Sequence, residues 1–155
     1  MSEHAILRAA IAAKLASVPG LGQVYNYERY AKSDADFREF YAAGDRLQGW
    51  HVRRVARREN AGSNEVLTTW ELRGFMSIDD AAASELLFDE LIDRILDAWR
   101  DDPTLGRAVL YPRDGADPVP QLEDSGPAMF CGILCHSARL KLVTRTVRDA
   151  GRPWD

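Results

Sequence analysis

Two strand-like runs, Gln48–Glu59 and Glu65–Ile78, flank the five residues Asn60-Ala61-Gly62-Ser63-Asn64. Nothing else in the chain restricts its fold as much. Turn-forming residues between two alternating runs specify a β-hairpin. In the first run Trp50, Val52 and Ala56 are expected on one face, and His51, Arg53, Val55 and Arg57 on the other. In the second, Val66, Trp70, Leu72 and Met76 share a face. One covered and one wetter face is the pattern of an antiparallel sheet.

Such a hairpin needs a cover, and two helical patterns can supply it. Phe88, Leu91, Ile92, Ile95 and Trp99 keep helical spacing as far as Asp102-Pro103, with Ser77-Ile78-Asp79-Asp80 as the start. A helix over 79–102 would be about 36 Å long. Near the N-terminus, Leu7, Ile11 and Leu15 recur every fourth residue behind Ser2 as N-cap, and Pro19-Gly20-Leu21-Gly22 stops the helix.

Between these helices, Gln23–Tyr30 alternates like a strand, and Ser33 or Asp34 caps a short helix through Phe37, Phe40 and Tyr41 that ends at Gly44. Thr104–Pro127 is rich in Pro, Gly and Asp and is expected to be irregular, with short strands at Ala108–Tyr111 and Val119–Glu123. Met129–Val147 is expected to be a long strand, with Gly132 and His136 as the two places where it could break. The order α-β-α-β-β-α-β-β predicts an α+β fold in two layers, a mainly antiparallel sheet covered by two longer helices. It occupies 1–147 as one domain, followed by a mobile tail, 148–155.

A chain of 155 residues, 46% hydrophobic and 28% charged, can bury a core of its own. Its net charge of −4 argues against a domain built to bind nucleic acid. No apolar run of about 18 residues is present, so no transmembrane helix is expected. Arg8 and Lys14 interrupt the apolar N-terminal residues, unlike a signal peptide. If Cys131 and Cys135 lie on one strand they are about 13 Å apart, too far for a disulfide. Free thiols suit a reducing compartment. A soluble, intracellular protein is expected.

The residue types that carry chemistry are sparse. Cys131, Cys135 and His136 have the local spacing of a zinc half-site, but no second pair of ligands exists. Adjacent Cys135 and His136 on a strand would point to opposite faces, so inert cysteines are expected. Gly20-Leu21-Gly22 lacks the preceding strand and third glycine of a nucleotide turn. Asp79-Asp80 and Asp101-Asp102 mark the ends of one helix, where capping and solvation account for them. No catalytic residue, metal or cofactor is expected.

Two charged features remain. Arg53, Arg54, Arg57 and Arg58 crowd one strand, and Asp89, Asp93, Asp97 and Asp101 repeat at every fourth position of the long helix. Like charges at that spacing cost a few tenths of a kcal/mol per pair in an isolated helix. Both features can be solvated faces, with Glu90–Arg94 relieving the helix. Alternatively, the acidic stripe of one subunit meets the arginine strand of its neighbour, a head-to-tail contact that can close a ring. Arginine forks also suit phosphates, but Trp50 and Trp70 are expected in the core rather than as stacking platforms.

Val18-Pro19-Gly20-Leu21-Gly22-Gln23-Val24-Tyr25-Asn26-Tyr27-Glu28-Arg29-Tyr30, Gly49-Trp50 and Arg73-Gly74-Phe75-Met76-Ser77-Ile78-Asp79-Asp80-Ala81, with the strand Met129-Phe130-Cys131-Gly132-Ile133-Leu134-Cys135-His136, together resemble the tail-terminator (tail-completion) proteins of long-tailed bacteriophages and prophages. The likeness covers most of residues 3–147. It implies a structural subunit, not an enzyme, that forms a ring, often hexameric, on the finished tail tube. The ring ends tube polymerisation and offers a surface for head–tail joining. Its implied partners are itself, the major tail tube protein and the head connector protein. Membrane is not implied, and nucleic acid only as DNA passing through the lumen. The implied location is the bacterial host cytoplasm during assembly, then the virion tail. The four arginines match no motif of that family. Other readings are a phage neck, baseplate or adaptor module, and a small ligand-binding domain or enzyme.

Overall fold

The computed structural model describes residues 2–111 and 117–148. Helix α1 (Glu3–Ala16) is followed by β1 (Gln23–Tyr25), α2 (Asp34–Tyr41), β2 (Ala42–Ala43), β3 (Arg46–Asn60) and β4 (Glu65–Ser77). A 3-10 turn (Asp80–Ala82), α3 (Ser84–Asp101), β5 (Gln121–Phe130) and β6 (Ile133–Val147) complete the order. The fold is α+β, with a mixed six-strand sheet in the order β1-β3-β4-β6-β5 and β2 paired to β3.

The expected hairpin is the spine of the molecule. β3 and β4 pair antiparallel from Gln48↔Met76 to Asn60↔Glu65. The Asn60 side-chain oxygen accepts the N–H groups of Gly62 (2.9 Å) and Ser63 (3.2 Å), which fixes the turn. β4 is flanked on its other side by β6 over its whole length. Val66, Trp70, Leu72 and Met76 are buried as predicted.

α1 and α3 cover one face. Leu7, Ile11 and Leu15 of α1 and Phe88, Leu91, Ile92, Ile95 and Trp99 of α3 enclose Trp50, Val52, Trp70, Leu72 and Met76. The buried Trp70 indole N–H donates to Thr144 Oγ1 at 2.9 Å, so this polar group enters the core with a partner. The two-layer expectation is met only in outline, because α2 lies on the opposite face. Its Phe37 and Tyr41 pack on Phe75 and Cys135, and Phe75 neighbours Met76, so the two must project to opposite sides of the sheet.

Several boundaries differ from expectation for local reasons. β1 is three residues long rather than eight, and it runs parallel to β3, which makes the sheet mixed. The long helix starts at Ser84, not Asp79. Asp79 caps the separate 3-10 turn by accepting from the N–H of Ala82, and Ala83, at φ +53°, breaks the path before α3 begins. The strand expected over Met129–Val147 is the end of one strand and the whole of the next. Cys131 (φ +47°) and Gly132 (φ +80°) form a two-residue hairpin turn of left-handed residues between β5 and β6. Of the two candidate breaks, Gly132 and His136, the break falls at Gly132; the short strand expected at Val119–Glu123 and the start of the one expected at Met129 are the two ends of β5, whose middle Gly126 and Pro127 disguise. Proline is tolerated there because β5 is an edge strand.

The expected short strand at Ala108–Tyr111 reduces to one bridge, Leu110↔Arg145. Of the tail 148–155, only Arg148 is among the described residues. Its backbone N–H donates to Asn64 O at 2.7 Å, so this residue at least is tied down.

Candidate interaction surface

Every residue of β3 from Arg53 to Asn60 is exposed. β1 and β2 pair with β3 only below this point, at Gly49–His51 and at Arg46–Leu47. The Arg8 guanidinium seals the last covered position, donating to Val52 O (3.1 Å) and Asn26 O (2.9 Å). Beyond it, the arginine-rich half of the strand is a bare sheet edge among the described residues.

The four arginines do not share a face. The register passes from Arg54↔Trp70 to Ala56↔Thr69, so Val55 is the extra residue of a β-bulge. Trp50, Val52, His51 and Arg53 lie as predicted, but the bulge reverses the alternation after Arg54. Ala56 moves to the α2 side, and Arg57 moves to the side of α1 and α3. Arg54 and Arg57 therefore stand beside α1, while Arg53 and Arg58 stand on the other face. Burial keeps the His4 imidazole below its ordinary pKa, and the charges of Arg54, Arg8 and Arg57 add to that effect. Arg53 approaches Glu28 (3.8 Å) and Arg57 donates to Glu59 (2.9 Å through Nε). Arg54 and Arg58 have no ion-pair partner among the described residues. Trp50 and Trp70 are fully buried, so neither serves as an aromatic platform beside the arginines.

Asp89, Asp93, Asp97 and Asp101 are all exposed. They lie on the side of α3 opposite Phe88, Ile92, Ile95 and Trp99, and so point away from the sheet. Asp97 pairs with Arg100 one turn on, and Arg94 donates to Glu90 at 2.8 Å as predicted. The remaining three carboxylates of the stripe have no ion-pair partner among the described residues. Because alternation sets two arginines on each face, an acidic helix laid along one face of β3 would meet two of them, not four, and the bulge decides which two.

The residues examined for chemistry are held apart. Cys131 is exposed in the β5–β6 turn and Cys135 is buried, both as free thiols. Burial pushes the Cys135 thiol up to about 11, so it stays protonated at neutral pH. His136 projects to the other face, stacked on Phe88 and within 2.7 Å of Ser84 Oγ. That oxygen also accepts the backbone N–H of Asp79 (2.8 Å), so the pair ties the start of α3 to the sheet. Ser84 and His136 are 52 residues apart, and no sequence signal joins them. No group of three or more His, Cys, Asp or Glu that could hold a metal occurs among the described residues, and no helix there is long and apolar enough to cross a membrane.

On the α2 face, His51 is buried with neither ring nitrogen hydrogen-bonded among the described residues. Desolvation lowers its pKa to about 4, with Arg73 and Arg53 acting the same way and Glu28 opposing. It borders a recess of about 230 Å³ that Glu28, Arg29, Tyr41, Phe130 and Cys131 also line. Arg29 is stacked over Phe40, 4.1 Å from its centroid, and over Tyr25 at 4.9 Å.

No family model matches the chain, and no curated protein matches it.

Proposed function

We propose that the protein is a structural assembly subunit that forms a ring on the end of a phage tail tube, stops its polymerisation and offers a surface for head–tail joining. The observation that supports this best is the separation of two exposed charged surfaces. Arg53, Arg54, Arg57 and Arg58 lie along a bare sheet edge, and Asp89, Asp93, Asp97 and Asp101 lie along the outer side of α3. A subunit with unlike surfaces pointing in different directions can join its neighbours by one and face a different component with the other. The resemblance adds the identity of those components: the major tail tube protein on one side and the head connector protein on the other. On this reading the work is done by shape and charge, with no reaction and no cofactor, and the protein acts in the host cytoplasm and then in the virion tail.

The test is tube growth in vitro. The major tail tube protein of the same phage is polymerised with and without this protein, and tube lengths are measured by electron microscopy. Sub-stoichiometric addition should shorten the tubes and leave a density cap at one end. Unchanged lengths with uncapped ends would refute the reading. With Asp93→Lys and Asp97→Lys, capping should weaken, most clearly at low salt where charge is least screened.

A further inference from the structure

We propose that the bare edge of β3, Arg53–Asn60, is the docking strand for the β5 edge of a second copy of this chain, which adds antiparallel and carries the sheet from subunit to subunit. The inference rests on the protein being a self-assembling subunit, and it names the surfaces that join.

The topology leaves two edges open. β3 is uncovered beyond Val52, and β5 has no neighbour on its outer side from Gln121 to Phe130 among the described residues. β3 and β6 run one way, β4 and β5 the other. A copy related by rotation about an axis along the strands therefore presents its β5 to β3 in the antiparallel sense.

Charge selects this pairing over its rivals. The β3 edge carries four arginines, and the β5 edge carries Glu123 and Asp124, both exposed. Joining β3 to β3 sets arginine against arginine, and joining β5 to β5 sets acid against acid; like charges opposite each other destabilise a ladder. Joining β3 to β5 sets opposite signs together. It also covers Val55 (48% exposed) and Leu122 (49% exposed), one apolar side chain on each edge.

The offset between the edges has a geometric consequence. Across the ladder Gln121 stands level with Lys141, Glu71 and Arg53, and Gly126 stands level with Ser137, Phe75 and Gly49. Bringing residues 121–126 of a neighbour alongside 53–58 requires a slide of about four residues, about 14 Å at ~3.4 Å each. β3, β4, β6 and β5 span about 19 Å at ~4.8 Å per strand. The slope is about 35°, at the lower end of the strand tilt at which a sheet closes into a barrel. Both edges also carry a bulge, at Arg54/Ala56 and at Leu122/Asp124, and bulges bend and twist a strand as closure demands. The paired stretch ends before Pro127, which has no N–H to give. The stripe on α3, pointing out of the sheet plane, stays free for another component.

Charges, bulges and proline also serve to keep edges apart, so the experiment must separate joining from protection. In a Cys131→Ser background, Arg54→Cys and Ser125→Cys, which the pairing sets opposite each other on one face, are made singly and together and oxidised under dilute conditions. The double variant should give a ladder of covalent multimers, and a mixture of the two single variants should give a disulfide-linked dimer that neither gives alone. Glu123→Lys with Asp124→Lys should cut the cross-linked yield roughly tenfold, as for two lost cross-strand charge pairs. Adding Arg53→Glu and Arg58→Glu, the two arginines on the face of Asp124, should restore it. Dimers from either single variant alone would show like-edge pairing and overturn the proposal. So would a wild-type oligomer in sizing experiments whose double variant gives no ladder, an outcome that leaves tube capping standing. A ladder without any effect on tube length would uphold the edge contact and refute the capping role.

Discussion

Gly74 lies under the indole of Trp50, its partner across the β3–β4 ladder. A Cβ added there would sit 2.1–2.3 Å from Cε2, Cδ2 and Cζ2 of that ring. Carbon atoms in contact prefer about 3.5–4.0 Å, so Gly74→Ala forces the indole or the strand to retreat by more than 1 Å, roughly. Neither has room. Trp50 is fully buried and stacked on Phe88 at 6.1 Å, and Gly74 is paired on both sides, to Trp50 and to Ala138. Overpacking of this kind costs about 1–3 kcal/mol; with both sides fixed, about 3 kcal/mol is expected. At 2–4 °C per kcal/mol for a chain of this size, the melting point should fall by roughly 6–12 °C. Gly126 provides the control, since a Cβ there meets nothing within 4 Å; Gly126→Ala should stay within about 0.5 kcal/mol of the parent. Urea unfolding followed by far-ultraviolet circular dichroism measures both. A Gly74→Ala midpoint within about 0.5 kcal/mol of the parent, or equal losses in the two variants, would refute the packing argument.

Two further outcomes follow from buried titrating groups. His51, with a folded pKa of about 4 against 6.5, refuses a proton that the unfolded chain takes up. Its stabilising effect is therefore complete above pH 6.5 and is lost as pH falls toward 4, by about 3 kcal/mol in all; NMR should find its ring titrating near 4, with a flatter acid limb of the stability curve in His51→Gln, and titration near 6.5 would count against this burial. Cys131 should alkylate with iodoacetamide in the native state and Cys135 only on unfolding, because the Cys135 thiol is buried and pushed up to about 11; equal native reactivity of both would contradict the structure.

The elements that alternate or repeat were legible before any coordinates. The β3–β4 hairpin, the apolar faces of α1 and α3, the cap at Ser2 and the stop at Gly20–Gly22 depend on residues close in sequence, so composition and spacing reveal them. The two charged features were legible for the same reason, since each lies within one element. What escaped were decisions that neighbouring elements impose. The middle of β5 was hidden because Gly126 and Pro127 look like loop residues until an edge position excuses them. The start of α3 was misplaced because Asp79 makes its own capped turn, and Ser84 is held by His136 from another strand.

The sequence by itself determined which residues would be helix, hairpin and core, because hydrophobic period is a local property that survives any packing. It also put four arginines on one strand and four aspartates on one helix. Only the tertiary structure decided where those charges point. One bulged residue, Val55, exchanged the faces of Arg57 and Arg58, so that Arg57 joins Arg54 rather than Arg53, because the side-chain period of a strand is two and an extra residue inverts everything after it. Which strands lie at the edges was likewise settled by the order of pairing, a long-range matter that no window of sequence contains.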